Sequence, residues 1–97
     1  MDRLNTTDYL FLKFRSTLIK LEDVRKEFYS HLSQEKMQER ARQQLLPFAC
    51  FRIDDSQKGF FFVEIHELAK ALDEIYAKNY RSFQTSTQKS IHATNQI

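Results

Sequence analysis

Residues 21–72 read LEDVRKEFYSHLSQEKMQERARQQLLPFACFRIDDSQKGFFFVEIHELAKAL, and the order of patterns within them decides the fold. Leu21, Val24, Phe28 and Leu32 recur every three or four residues, which predicts one buried helical stripe and a helix over 21–29. Glu22 and Asp23 fall in its first turn, where the helix dipole favours acids. Ser30-His31-Leu32-Ser33 makes the turn, and Ser33 is a good N-cap for a second helix over 33–45. That helix has a thin apolar side, Met37, Ala41 and Leu45, and is otherwise Gln, Glu, Lys and Arg. Leu46-Pro47 is the expected stop. Two runs, 48–53 and 60–65, alternate in the manner of strands, with the polar tip Asp54-Asp55-Ser56-Gln57-Lys58-Gly59 between them. A last helix is expected over 66–81, with Leu68, Leu72 and Ile75 as its stripe. The order predicts an α+β fold, a small winged helix-turn-helix: helix-turn-helix, two-stranded hairpin wing, C-terminal helix.

Period two places Ala49, Phe51 and Ile53 on one face of the hairpin, with Phe61, Val63 and Ile65 opposite them on the same face. Phe48, Cys50, Phe60 and Phe62 then share the other face. A two-stranded hairpin does not hold alone, so the N-terminal segment or the last helix is expected to cover that second face. Gly59 is expected to supply a backbone angle that other residues resist.

Working outward, residues 1–7 carry no apolar pattern and read as a flexible N-terminus, 8–82 as the DNA-binding domain, and 83–97 as a polar tail without ordered structure. Thr6, Thr7 or Asp8 is positioned to cap a short helix over 9–15, although Tyr9-Leu10-Phe11-Leu12 also suits a strand. Leu18-Ile19-Lys20 is an extended lead-in to the first motif helix.

Ninety-seven residues, 41% of them hydrophobic, allow one domain with a modest core. The net charge of +2 permits nucleic-acid binding without demanding it. The single cysteine, Cys50, excludes an internal disulfide, and it reads as a small apolar strand residue in a reduced, cytoplasmic setting. Met1-Asp2-Arg3-Leu4-Asn5 does not read as a signal peptide, and the run 9–14 is too short to span a membrane.

Chemistry other than binding finds little support. His31, His66 and Cys50 have no metal-ligand spacing and His92 stands apart, so no metal or cofactor is expected. The acid pairs Glu22-Asp23, Asp54-Asp55 and Asp73-Glu74 are sequence neighbours. On a helix such residues face different ways, and at the tip they suit turn chemistry, so no enzyme is expected.

Double-stranded DNA is the expected partner. The N-terminal part of a recognition helix reaches base edges, which selects Ser33, Gln34, Lys36, Arg40 and Gln43, with Arg42 and Gln38 on the flanks. Gln pairs with adenine, and Arg or Lys with guanine, each contact giving on the order of 1–3 kcal/mol of discrimination. Ser56, Gln57 and Lys58 at the tip suit phosphate or minor-groove contacts, with Arg52 bracing them. The plain alternative for each of these residues is a solvated side chain. Glu35, Glu39, Asp54 and Asp55 nearly cancel the positive charge, which argues for moderate affinity and a homodimer or tandem sites.

Leu18-Ile19-Lys20-Leu21-Glu22-Asp23-Val24, then Phe28-Tyr29-Ser30-His31-Leu32-Ser33-Gln34-Glu35-Lys36, Leu46-Pro47, Arg52-Ile53, Ser56-Gln57-Lys58 and Val63-Glu64-Ile65-His66-Glu67-Leu68-Ala69 resemble the pyocin activator protein family. The resemblance spans residues 9–75. It implies a small bacterial or prophage-encoded transcription regulator that binds promoter DNA, with Lys36, Ser56, Gln57 and Lys58 at matching positions and RNA polymerase among its partners. The chain departs from the family's habit at Gln34, where Pro is common, at Met37, where Phe is common, and at Gly59-Phe60-Phe61, where a basic residue is usual. The expected function is a sequence-specific, activator-like regulator of prophage, bacteriocin or mobile-element genes. The alternatives are an excisionase-like architectural protein that bends DNA, and a protein-interaction module that uses the Phe-rich hairpin.

Overall fold

The computed structural model describes residues 5–54, 56 and 59–95. The elements run α1 (Thr6–Phe14), β1 (Leu18–Lys20), α2 (Leu21–Phe28), α3 (Gln34–Arg42), β2 (Phe51–Arg52), β3 (Phe61–Glu64) and α4 (Ile65–Asn95). Four helices and a small antiparallel sheet make an α+β fold compatible with a winged helix-turn-helix. The segment open between helix and strand is helix α1, and its cap is Asn5, whose side chain accepts the Asp8 N–H at 2.8 Å. The expected boundary at residue 8 therefore falls inside α1, which begins at Thr6.

The sheet has three strands in the order β1-β3-β2. Leu18-Ile19-Lys20 is thus a strand rather than a lead-in, and it pairs Ile19 with Val63 and Lys20 with Phe62. On the other edge Phe51 faces Phe62 and Arg52 faces Phe61. Residues directly opposite share a face, so this register corrects the expected sorting of the hairpin. Phe61, Val63 and Arg52 lie on the core face, with Phe48 and Cys50 packed beneath, while Phe51, Phe60 and Phe62 lie outside. The outer face stays open, with Phe51, Ile53 and Phe60 all exposed.

The core joins α1 (Leu10), β1 (Ile19), α2 (Leu21, Val24), α3 (Met37, Ala41), β3 (Val63) and α4 (Ile65, Leu68). No polar or charged residue is fully buried with them among the described residues. The Ile65 N–H donates to the Thr17 carbonyl at 2.9 Å and ties the start of α4 to the chain just before β1. Where the sequence loses its apolar periodicity, α4 does not end: the helix continues through Asn95, so the polar tail expected from residue 83 is helical over most of its length.

Candidate nucleic-acid interface

The turn between α2 and α3 is fixed from both sides. Arg25 grips Glu22 through Nε and Nη2, the shortest distance being 2.6 Å, and its Nη1 donates to the Leu32 carbonyl at 2.9 Å. The same hydrogen bonds hold the Glu22 carboxyl below the usual carboxylate range. The Leu32 N–H closes back on the Tyr29 carbonyl at 2.9 Å, and the Tyr29 ring meets Phe48 edge-on at 6.3 Å. Burial pushes the Tyr29 hydroxyl above its ordinary pKa, with the charge of Arg40 acting against it. Ser33 then starts α3, its Oγ accepting the Lys36 N–H at 3.2 Å.

α3 is shorter than expected. Gln44 takes a left-handed φ of 55°. The Gln44 N–H reaches the Ala41 carbonyl at 3.2 Å and the Leu45 N–H reaches the Arg40 carbonyl at 2.9 Å. These are the two bonds of a Schellman cap. The helix therefore stops at Arg42, ahead of Leu46-Pro47, and Leu45, expected in the buried stripe, is exposed while Leu46 turns inward.

With Met37 and Ala41 buried, the rest of α3 sorts by angle. Glu39 forms the crest, directly away from the core, and Glu35 lies between it and Arg42. Lys36, Arg40 and Gln43 lie along one shoulder. Gln34, Gln38 and Arg42 lie along the other, and of these Gln34 and Gln38 share a cleft with Lys20 and Phe60 at the base of the hairpin. The Lys20 ammonium sits 5.1 Å from the centre of the Phe60 ring. Thus Lys20, which no reading of α3 alone singles out, stands beside it because β1 is a strand in register with β3.

The remaining expected residues are placed as follows. Arg52 is half-buried with its guanidinium 4.2 Å from the centre of the Phe61 ring, so it is drawn toward the sheet. Its Nε is buried without a hydrogen-bond partner. Ser56 is exposed and its N–H donates to Asp54 Oδ1 at 3.2 Å, the turn chemistry expected of Asp54. Gln57 and Lys58 lie outside the described residues. Gly59 does not use a left-handed angle. Its lack of a side chain matters for space instead: a Cβ there would stand 3.0 Å from the Asp54 carbonyl oxygen and 3.2 Å from that of Ser56. Among the described residues no group of three or more His, Cys, Asp or Glu is placed to hold a metal. Among them also, no helix is long and apolar enough to cross a membrane.

A helix-turn-helix whose second helix buries two side chains and exposes a charged ridge beside a hairpin makes a small α+β protein compatible with a winged helix-turn-helix. The chain belongs to the pyocin activator protein PrtN family, whose sequence model matches residues 6–79. That is a family of regulatory activators. No curated protein and no solved structure matches the chain.

Proposed function

We propose that this protein is a sequence-specific DNA-binding activator of prophage, bacteriocin or mobile-element genes, acting with the host RNA polymerase. α3 lies in the major groove and the hairpin tip, residues 54–59, runs along the backbone. An α-helix with its side chains is about 10–12 Å across and the groove is about 12 Å wide, so only the crest and shoulders of the helix meet DNA.

The observation that carries the reading is the sorting of charge on α3. Lys36 and Arg40 occupy one shoulder and Arg42 the other, where the two strands of a groove pass, and Glu39 occupies the crest, which faces the groove floor, with Glu35 between it and Arg42. Acids on the shoulders would repel phosphates. On the crest they accept from cytosine amino groups instead. Lys36 and Arg40 serve one strand, and Arg42 with Lys20 serves the other. Ser33 and Gln34 at the helix start and Gln43 at its end complete the surface, while Arg52, Ser56, Gln57 and Lys58 belong to the wing.

Selection of bound duplexes from a random pool, repeated at two salt concentrations, tests this. A recovered consensus whose affinity falls as salt rises is the expected result. Recovery of unselected sequence by a folded protein contradicts it.

A further inference from the structure

From Asp73 to Ser86, every residue of α4 is exposed. The start of α4 is held by α1, through the core residues Leu10 and Leu68 and through the Thr6 hydroxyl, which donates to the Asp73 carboxylate. Beyond that point no other element covers the helix among the described residues. The chain's radius of gyration is 17.7 Å, against roughly 12–13 Å for a compact chain of this length. The excess reflects a helix that runs on past its own core.

Most helical stability comes from packing an apolar face, and Asn79, Ser82, Thr85 and Ser86 in this part of α4 are weak helix formers. One face supplies what is missing. Tyr76, Tyr80 and Phe83 recur at four- and three-residue spacing and remain 68%, 46% and 63% exposed. Their rings already stack on one another, with centroids 5.9 Å apart for Tyr76 and Tyr80 and 6.3 Å for Tyr80 and Phe83. Ile75, Ala77 and Asn79 border this ladder, and all are uncharged. The nearby charges Glu74, Lys78 and Arg81 fall on the opposite side of the helix, and Asp73, one turn before Tyr76 on the ladder's side, accepts from the Thr6 hydroxyl.

We infer that this ladder is a homodimer interface, in which the Tyr76–Tyr80–Phe83 face of α4 packs against the same face of a second copy of the chain. From Tyr76 to Phe83 this face carries no charge, so it selects neither a basic nor an acidic partner. Laid on itself about a two-fold axis it meets no like-charge repulsion, which is the requirement of an isologous contact. The area also fits. Side chains of this kind bury about 150–250 Å² each, so the exposed parts of the three rings offer roughly 350 Å² per copy. With Ile75 and the bordering residues, the two copies approach the roughly 1,000 Å² that a specific interface requires. This inference does not depend on DNA binding. It also gives the homodimer expected from the sequence a place, on α4.

Sedimentation equilibrium of the full chain tests it. The expected mass at tens of micromolar is twice the 11.7 kDa of one chain. The double variant Tyr80→Glu, Phe83→Glu dissociates at least about tenfold more readily, while Leu12→Glu, which alters an exposed apolar residue of α1, leaves the mass unchanged. Far-UV ellipticity of the unaltered protein gives a second reading that needs no variant: helix content rises with concentration as dimers form. A monomeric wild type, helix content independent of concentration, or a dimer that survives the double variant overturns the inference. So does capture of acidic vesicles or another protein by the same face of a chain that stays monomeric.

Discussion

Ser33 closes the first turn of α3 on Lys36, its Oγ accepting the Lys36 N–H at 3.2 Å. One residue thus sets where the helix begins and stands on the surface proposed to meet DNA. The two roles separate on substitution. Ser33→Ala removes the cap and is expected to cost about 1 kcal/mol of stability. Ser33→Asp retains a capping oxygen and stays near wild-type stability, but it places a negative charge beside the phosphates and weakens DNA binding more than Ser33→Ala does. Urea unfolding with DNA titration of both variants checks the pairing.

Crest and shoulder predict different losses. Lys36→Ala, Arg40→Ala or Arg42→Ala is expected to weaken binding to all sequences alike and to reduce the salt slope by about one contact each. Glu39→Ala removes a crest acceptor from the groove floor. It is expected to relax the preference at one base pair by about 1–3 kcal/mol while raising affinity for unselected DNA. Titration of each variant against a cognate and a singly mismatched duplex, at several salt concentrations, measures both effects.

Much of this surface was legible in the sequence. Leu21, Val24, Met37 and Ala41 are where helical spacing put them, and Ser33 is the cap its residue type announced. What stayed hidden depends on partners distant in the chain or on backbone angles that no residue type signals. The left-handed turn that ends α3 is made by Gln44, whereas glycine or asparagine is the usual sign of one. The faces of the hairpin follow from its register. Eight residues separate the paired Arg52 and Phe61, and that even number sets odd positions opposite even ones, Phe51 on Phe62. Lys20 joins the candidate interface only because three residues, Leu18–Lys20, pair with β3, a contact set by sheet formation rather than by local pattern. Nor did the polar stretch after Phe83 betray the length of α4, because its aromatic ladder is short and not covered by another element.

Cys50 offers a test of the core beneath the hairpin. Burial raises its thiol from an ordinary 9.0 to about 11. The thiolate is the reactive form, so alkylation of the folded protein near neutral pH is expected to be about a hundredfold slower than that of the unfolded chain. Because the folded pKa lies above the unfolded one, the contribution of the protonated thiol to stability is complete below 9.0 and fades as pH rises toward about 11. Cys50→Ala is therefore expected to flatten the alkaline limb of the stability profile. Timed alkylation and thermal unfolding across this range read the two effects.

The most direct test of the central claim is a polarisation titration of labelled cognate duplex with the wild type and with the Lys36→Ala, Arg40→Ala double variant, in the presence of random competitor. Both side chains are exposed, so the variant is expected to unfold with the wild type. Saturable wild-type binding that the double variant weakens by roughly tenfold or more places recognition on α3. Equal binding by the two folded proteins would contradict that assignment.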